Sequence, residues 1–294
     1  FGYRYKSNFT LGHQLRSIRP TVQDDFAGDP TLQAAFERDV LPRSERSSAV
    51  SLAYSFFTPR FVTYRNINTY SLPEDVRLGP QLSLSTSLAR KEIGSERNFV
   101  NLSAAASWTL DMFGDGYARA SASASTRVED SDARDNTFVV SARVVPPRLF
   151  GLWRVVSRIA YRSIVDNDNN AVLFLGGSSG LRAYDVGTYS GDTRLIGNLE
   201  LRSPPLRLWF MQWGGVAFWD VGHAATADAD NPFSAAKSLS LKNDVGAGLR
   251  MLMPQLQPFV FSFDFAYAVN PPPVAANGAR PPRFRLVLFI EQAF

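Results

Sequence analysis

The sequence predicts an all-β protein, an antiparallel transmembrane β-barrel, and three observations carry that prediction. The first is alternation of period two: Tyr117, Arg119, Ser121, Ser123, Ser125 and Arg127 occupy one parity, and Ala118, Ala120, Ala122 and Ala124 the other. The second is length. The run covers residues 117–127, whereas soluble strands typically have about 5–6 residues and a tilted strand crossing a bilayer needs about 9–11. The third is the alternation of connections between short, turn-rich segments and longer polar ones, as in barrels with short periplasmic turns and long external loops. On this reading the polar parity faces a wet lumen and the apolar parity faces lipid.

The other elements follow in the same way. Leu102, Ala104, Ala106, Trp108 and Leu110 oppose Asn101, Ser103, Ser107, Thr109 and Asp111, and before them Leu82, Leu84 and Leu88 alternate with Gln81, Ser83, Ser85 and Ser87. Further strands are expected at 135–146, 151–166, 192–203, 206–222, 240–253, 258–269 and 283–294. The short connections are Phe113-Gly114-Asp115-Gly116, Pro146-Pro147-Arg148, Pro204-Pro205 and Pro254-Gln255-Leu256; the longer ones are 167–191, 223–239 and 270–282. Residues 1–11 read as a strand. Asp29-Pro30 reads as a cap and first-turn proline, and Leu32, Ala35 and Phe36 as one side of a short helix in a long external loop, 12–47. Residues 48–70 are either one long strand bulged near Thr58-Pro59-Arg60 or a hairpin turning there. The single-strand alternative gives about 12 strands and puts both chain ends on the periplasmic side, as an even antiparallel barrel requires. Trp209, Trp213 and Trp219 are placed on one outward parity, as belt residues at the membrane interface or as lipid-facing bulk. The expected organisation is one barrel domain over residues 1–294, with no periplasmic domain.

Composition agrees with this class. No apolar run approaches the roughly 20 residues of a membrane helix. The chain has 294 residues, no cysteine, two histidines and a net charge of +4 spread along its length, so disulfides are excluded and nothing points to nucleic acid. It starts at Phe1 with no charged-then-apolar leader, so any export signal is expected to have been removed or to lie outside this sequence.

The most informative stretch is Gly176-Gly177-Ser178-Ser179-Gly180-Leu181-Arg182-Ala183-Tyr184-Asp185, followed by Gly191-Asp192 and then Asn198-Leu199-Glu200-Leu201-Arg202. Leu181-Arg182-Ala183-Tyr184 resembles the Arg-Gly-aromatic motif of the inward-folding loop in the BamA/TamA superfamily (the bacterial surface antigen family), with Ala183 where a glycine is usual. Phe218-Trp219-Asp220-Val221-Gly222 resembles the superfamily's Phe-x-Asp-x-Gly strand, and Gly246-Ala247-Gly248-Leu249-Arg250 its Gly-x-Gly-Leu-Arg strand. These matches run in order over about residues 175–294. Phe284, Leu286, Leu288 and Ile290 share one parity and the chain ends on Phe294, which resembles the C-terminal recognition signal of outer-membrane barrels.

The resemblance implies a lumen latch, in which loop 167–191 folds inward and holds Arg182 and Tyr184 against Asp220 and Glu200. A guanidinium is a planar fork that two carboxylates can share. Gly246, Gly248 and Arg250 would form the strand against which the loop packs, and Asp264, on the parity of Ser262, would be one more lumen charge. Members of the superfamily have about 16 strands, within the usual range for such barrels, which implies that first strands precede Phe1. The implied role is assistance in inserting or translocating proteins at the bacterial outer membrane, with outer-membrane lipid and substrate or accessory outer-membrane and periplasmic proteins as partners. A passive pore or a structural anchor barrel of a larger assembly is the alternative, as is the membrane half of a secreted effector whose passenger precedes Phe1. Neither an enzyme nor a cofactor is expected. Gly177-Ser178-Ser179-Gly180 departs from Gly-x-Ser-x-Gly, and His13 and His223 both fall in polar loops on this reading. Asp166-Asn167-Asp168-Asn169-Asn170 has oxygens at calcium-like spacing but lacks the glycine and distal glutamate of a full calcium loop. No metal is therefore expected.

Overall fold

The computed structural model describes residues 4–22, 30–226, 239–255, 257–274 and 278–290. Its elements in chain order are β1 (Lys6–Ile18), α1 (Pro30–Asp39), β2 (Glu45–Phe57), β3 (Arg60–Arg65), β4 (Pro73–Ala89), β5 (Phe99–Asp111), β6 (Tyr117–Glu129), β7 (Asp132–Val145), β8 (Arg154–Val165), β9 (Leu173–Leu175), β10 (Tyr189–Gly191), β11 (Thr193–Arg202), β12 (Leu206–Leu208), β13 (Met211–Ala225), β14 (Lys242–Met253), β15 (Gln257–Ala268) and β16 (Phe284–Ile290). One 14-stranded antiparallel sheet has the order β1-β2-β4-β5-β6-β7-β8-β11-β13-β14-β15-β16, with β3 paired to β4 and β12 to β13 off this path. The path follows sequence order throughout, with β3, the β9–β10 pair and β12 lying in the connections between successive wall strands. β1 and β16 are the two ends of the pairing order.

Registers give each strand one inner and one outer face. Ser103, Ser125 and Ser85 lie on one shared row, and Leu102, Thr126 and Thr86 on the row beside it facing the other way. On the outer face large apolar side chains stay exposed, including Leu102 at 43%, Trp108 at 56%, Ile159 at 52% and Leu288 at 62%. A continuous apolar exterior of this extent marks a surface covered by something other than water. The sheet is strongly curled. Neighbouring strands lie about 4.8 Å apart, so β8 and β16, five steps apart in the order, would be about 24 Å apart in a flat sheet. Yet Arg158 of β8 and Phe289 of β16 line one cavity.

Several boundaries differ from the sequence expectation. The loop expected at 12–47 is shorter, because β1 runs on to Ile18 and pairs Arg16 with Ser47 and Ile18 with Glu45. Mixed polar side chains hid that extension, while the ladder continues because backbone pairing does not require apolar alternation. The helix expected in that loop is α1; Asp29, its expected cap, lies outside the described residues. Residues 206–222 are not one strand: β12 and β13 form a tight hairpin with Leu208 opposite Met211. Trp209 sits at its tip with φ +56° and is 85% exposed, apart from the parity shared by Trp213 and Trp219. His13 and His223 lie on β1 and β13, not in loops. Of the segment 283–294, residues 284–290 form β16 and Phe294 lies outside the described residues.

The segment 48–70 follows the single-strand alternative in direction, but it is broken at Thr58-Pro59 without a bulge and ends at Arg65. Phe57 pairs with Gln81 and Arg60 with Leu78, an unbroken register, so β2 and β3 track β4 as one strand broken at Thr58-Pro59. Pro59 cannot donate to a ladder, and Thr58 Oγ1 donates instead to the Leu78 carbonyl, 2.7 Å. The Thr58 hydroxyl also occupies the space beside Gly79, whose φ is +87°; a Cβ there would lie 2.3 Å from it. Beyond this break the β3–β4 hairpin turns inward. Tyr64 and Ile67 are buried with Tyr117, Val145 and Val156, and Tyr70 is buried with Leu252 and Val260 on the facing wall. The hairpin thus spans the lumen at the short-turn end.

Candidate functional site

The long connection between β8 and β11 enters the lumen from the opposite end. β9 and β10 pair with each other as a separate two-stranded ribbon, which holds the loop compact. At Gly180, φ is +121° and a Cβ would lie 2.6 Å from Ile196 Cγ2, so both backbone and space require glycine there. Leu181, Arg182, Ala183 and Tyr184 are all buried. Ala183 is absent from the positive-φ positions, so an alanine fits where the related motif has glycine. Its N–H donates to Asp244 Oδ2, 3.1 Å, and the Tyr184 hydroxyl donates to the carbonyls of Asn243 (3.0 Å) and Asn270 (2.8 Å).

Arg182 is the centre of the arrangement. Its Nε donates to Asp220 Oδ2 (2.7 Å) and its Nη2 to Asp220 Oδ1 (2.8 Å), a two-pronged fork. Its Nη1 donates to Glu200 Oε1 (2.6 Å) and Asp264 Oδ2 (3.0 Å). The guanidinium carbon lies 3.5 Å from the centre of the Phe218 ring, a cation–π geometry. Asn198 Nδ2 bridges Asp220 Oδ1 (2.9 Å) and the Gly180 carbonyl (3.0 Å), tying the wall to the loop. Glu200 also accepts from Arg202 Nε, 2.7 Å, and Asp264 pairs with Arg250, whose Nη2 lies 3.1 Å from Oδ2. Arg182, Arg202 and Arg250 therefore face Glu200, Asp220 and Asp264, three charges of each sign, all essentially buried. Register explains the convergence: Glu200 pairs with Phe218, Phe218 with Gly246 and Gly248 with Asp264, so β11, β13, β14 and β15 present these side chains on the inward parity.

The structure thus brings Arg182, Asp220, Glu200, Asp264 and Arg250 together, with Tyr184 anchored beside them. Gly246 and Gly248 lie against wall side chains of the latch. A Cβ on Gly246 would meet Phe218 Cζ at 2.2 Å, and one on Gly248 would meet Asp264 Oδ1 at 2.0 Å. They clear space for the ring and the carboxylate that hold Arg182. Phe284, Leu286, Leu288 and Ile290 are far more exposed and point outward on β16, apart from the cluster. The inward-facing Arg285 of the same strand pairs with Asp185 of the loop, 2.6 Å.

Sequence reading missed the second half of the lumen filling. Arg202 donates to the carbonyl of Ile67 at the tip of the β3–β4 hairpin. Arg154 donates to the carbonyls of Arg65 (3.1 Å) and Asn66 (3.3 Å), and Arg143 to Asn68 Oδ1 (2.7 Å). The tip is shaped by Glu74, whose carboxylate accepts the backbone N–H groups of Ile67, Asn68 and Thr69 at 2.9–3.0 Å. Tyr70 lies over Gly214, where a Cβ would sit 2.2 Å from the Tyr70 oxygen. The inward parity of Arg143, Arg154 and Arg202 was the available signal, but their partners on the hairpin tip are distant in sequence and carry no motif. Ion pairs also organise the other end, since Asp168 pairs with Arg134 (3.1 Å) and with Arg43 beyond α1, and Asn170 Nδ2 donates to the carbonyls of Arg38 and Leu41, 3.1 Å each. The calcium-like segment is engaged in these contacts. The cavity beside the Gly-Ser-Ser-Gly turn is lined by neither histidine.

No curated protein is significantly similar in sequence. Among solved structures, CdiB from Escherichia coli is similar at 15% identity with a TM-score of 0.48, over 97% of this chain and 50% of that one, so this chain spans about half its length. Residues 170–285 match the Omp85 superfamily domain. This is the segment in which Arg182, Glu200, Asp220, Arg250 and Asp264 converge.

Proposed function

We propose that the chain is a bacterial outer-membrane barrel that assists the insertion or translocation of proteins, and that the Arg182 cluster is the latch of its inward-folded loop. The observation that carries this reading is the buried cluster of three arginines and three carboxylates within the Omp85-matching region. A diffusion pore has use for an open lumen, whereas here a loop from one end and a hairpin from the other meet around Glu200 and Arg202. The apolar outer face meets lipid, and substrate or accessory outer-membrane and periplasmic proteins are the partners. The role is one of templating and gating, not of chemical catalysis, and it requires no cofactor. β1 and β16, at the two ends of the pairing order, supply backbone edges to which an incoming strand can add.

The test is reconstitution of the chain into liposomes and addition of a urea-unfolded small outer-membrane barrel. Gel mobility scores insertion and protease protection scores transfer across the bilayer. One of the two is expected to run several-fold faster than in liposomes holding an unrelated barrel, and slower again with Arg182→Ala. Rates for both equal to the unrelated barrel would overturn the proposal.

A further inference from the structure

We propose that the lumen contains a binding site for a phosphate-class oxyanion on β8 and β11, bordering the latch. Arg158, Arg162 and Arg194 all take the inward parity, with Arg162 opposite Arg194 and Arg158 opposite Asn198 in the register. In the latch every guanidinium is matched by a carboxylate. Here the balance is missing. Among the described residues neither Arg158 nor Arg162 has an ion-pair partner, and Arg194 donates to the uncharged Phe174 carbonyl, 2.9 Å.

A cavity of about 250 Å³ opens beside Arg158 and Arg194, lined also by Arg182, Ser178, Ser179 and Asn198, while Arg162 stands behind Arg194 and does not line it. Asp220 also borders it, with its oxygens engaged by Arg182 and Asn198. Three like charges on adjacent strands repel one another, and low-dielectric walls concentrate that positive potential. An anion relieves the repulsion. A guanidinium fork matches tetrahedral oxyanions two oxygens at a time, and the Ser178 and Ser179 hydroxyls add donors from the loop. Two unmatched positive charges at the cavity, with Arg162 adding a third behind them, suit a dianionic phosphate better than a singly charged carboxylate. The volume exceeds that of one phosphate, leaving room for a substituent such as a sugar.

The site stands on its own geometry and does not depend on the proposed insertion role. It is tested by titration calorimetry on the full chain in uncharged micelles at constant ionic strength, with inorganic pyrophosphate and glucose 6-phosphate as probes. Saturable binding of at least one is expected, weakened about five-fold or more by Arg158→Gln and by Arg194→Gln. Arg119→Gln, on the lumen face of β6 away from the cavity, is expected to bind as the native chain does. Tighter binding of the sugar phosphate points to a phosphorylated headgroup as the natural source; equal or tighter binding of pyrophosphate points to free phosphate. Absence of saturation by both probes overturns the site, and so does native affinity in Arg158→Gln and Arg194→Gln. If one variant fails to fold, the native titration and the other variant still decide.

Discussion

The inner faces of β2–β6 and of β11–β15 are built on the same alternation yet have opposite chemistry. On the first, Ser85, Ser103 and Ser125 share one row and Ser107 and Ser121 another, with hydrogen bonds from hydroxyl to hydroxyl such as Ser85 to Ser103 at 2.7 Å. On the second, the rows carry Glu200, Asp220, Asp264, Arg202 and Arg250, and the loop and the hairpin tip fill the space between them. Where the wall is small hydroxyls, water can satisfy it and nothing has to be brought to it. Its buried charges, Arg127 with Glu45 and Glu129, pair within the wall itself; among the described residues, only Asp111 and Tyr117 at the short-turn end receive Tyr64 of the hairpin. Buried charges must be paired or they cost several kcal/mol each, so the charged wall requires the inserted Arg182 as much as Arg182 requires the wall. Alternation makes the barrel wall; the chemistry of the inward parity decides which side of the lumen is filled.

The largest effect that separates the two walls is expected at the latch. Arg182→Ala and Asp220→Ala should each cost about 3–5 kcal/mol, because each leaves buried charge uncompensated, and the double variant should lose clearly less than the sum. Ser103→Ala, on the other wall, should stay within about 0.5 kcal/mol of the native chain. Unfolding in lipid bilayers measures all four, and fully additive latch losses would break the comparison.

Next in size is the distinction between faces of one strand. Ala106→Arg on the outer face of β5 should cost about 2–4 kcal/mol if it lies near the bilayer midplane, whereas Ser107→Arg on the inner face should be tolerated. Equal losses in the same unfolding assay would contradict the assigned parity.

The hairpin should be more modest. Glu74→Ala removes the acceptor of three backbone N–H groups at the tip, and about 1–3 kcal/mol of local stability is expected to go with it. Hydrogen exchange should then speed up at residues 66–72 with little change at Arg182 and Tyr184. Unchanged exchange at the tip would show that Arg143, Arg154 and Arg202 hold it without Glu74.

The smallest effect is pH dependence at the short-turn end. Burial pushes the Asp115 carboxyl up, but hydrogen bonds from Arg148 and the charge of Arg154 outweigh this and hold it below the ordinary carboxylate range. A carboxyl lowered in the folded state stabilises above its unfolded pKa of about 3.9, and that contribution fades as pH falls through the lowered folded value. Asp115→Asn should therefore flatten the fall in stability on acidification below about pH 4. An unchanged pH profile in the variant would assign the acid sensitivity to other groups.

Much of the wall was legible from sequence because strand alternation is local: Leu102 to Leu110 and Tyr117 to Arg127 announce face and length without reference to any other strand. The Arg182 cluster was legible in part, since Arg182, Asp220 and Glu200 sit in motifs that resemble a known superfamily. Asp264 was visible only as an inward charge, and Gly246 and Gly248 only as glycines on a strand. Nothing local showed that residues 60–78 fold inward instead of continuing the wall strand expected over 48–70, because what draws the hairpin inward is the arginines of β7, β8 and β11, distant in sequence. The sequence by itself thus determined the period, the parity and the order of strands, properties of the backbone and its nearest neighbours. Only the tertiary structure decided that Ile67 meets Arg202 and that Arg182 meets Asp264, because curvature of the sheet and burial of charge are set by all the strands together.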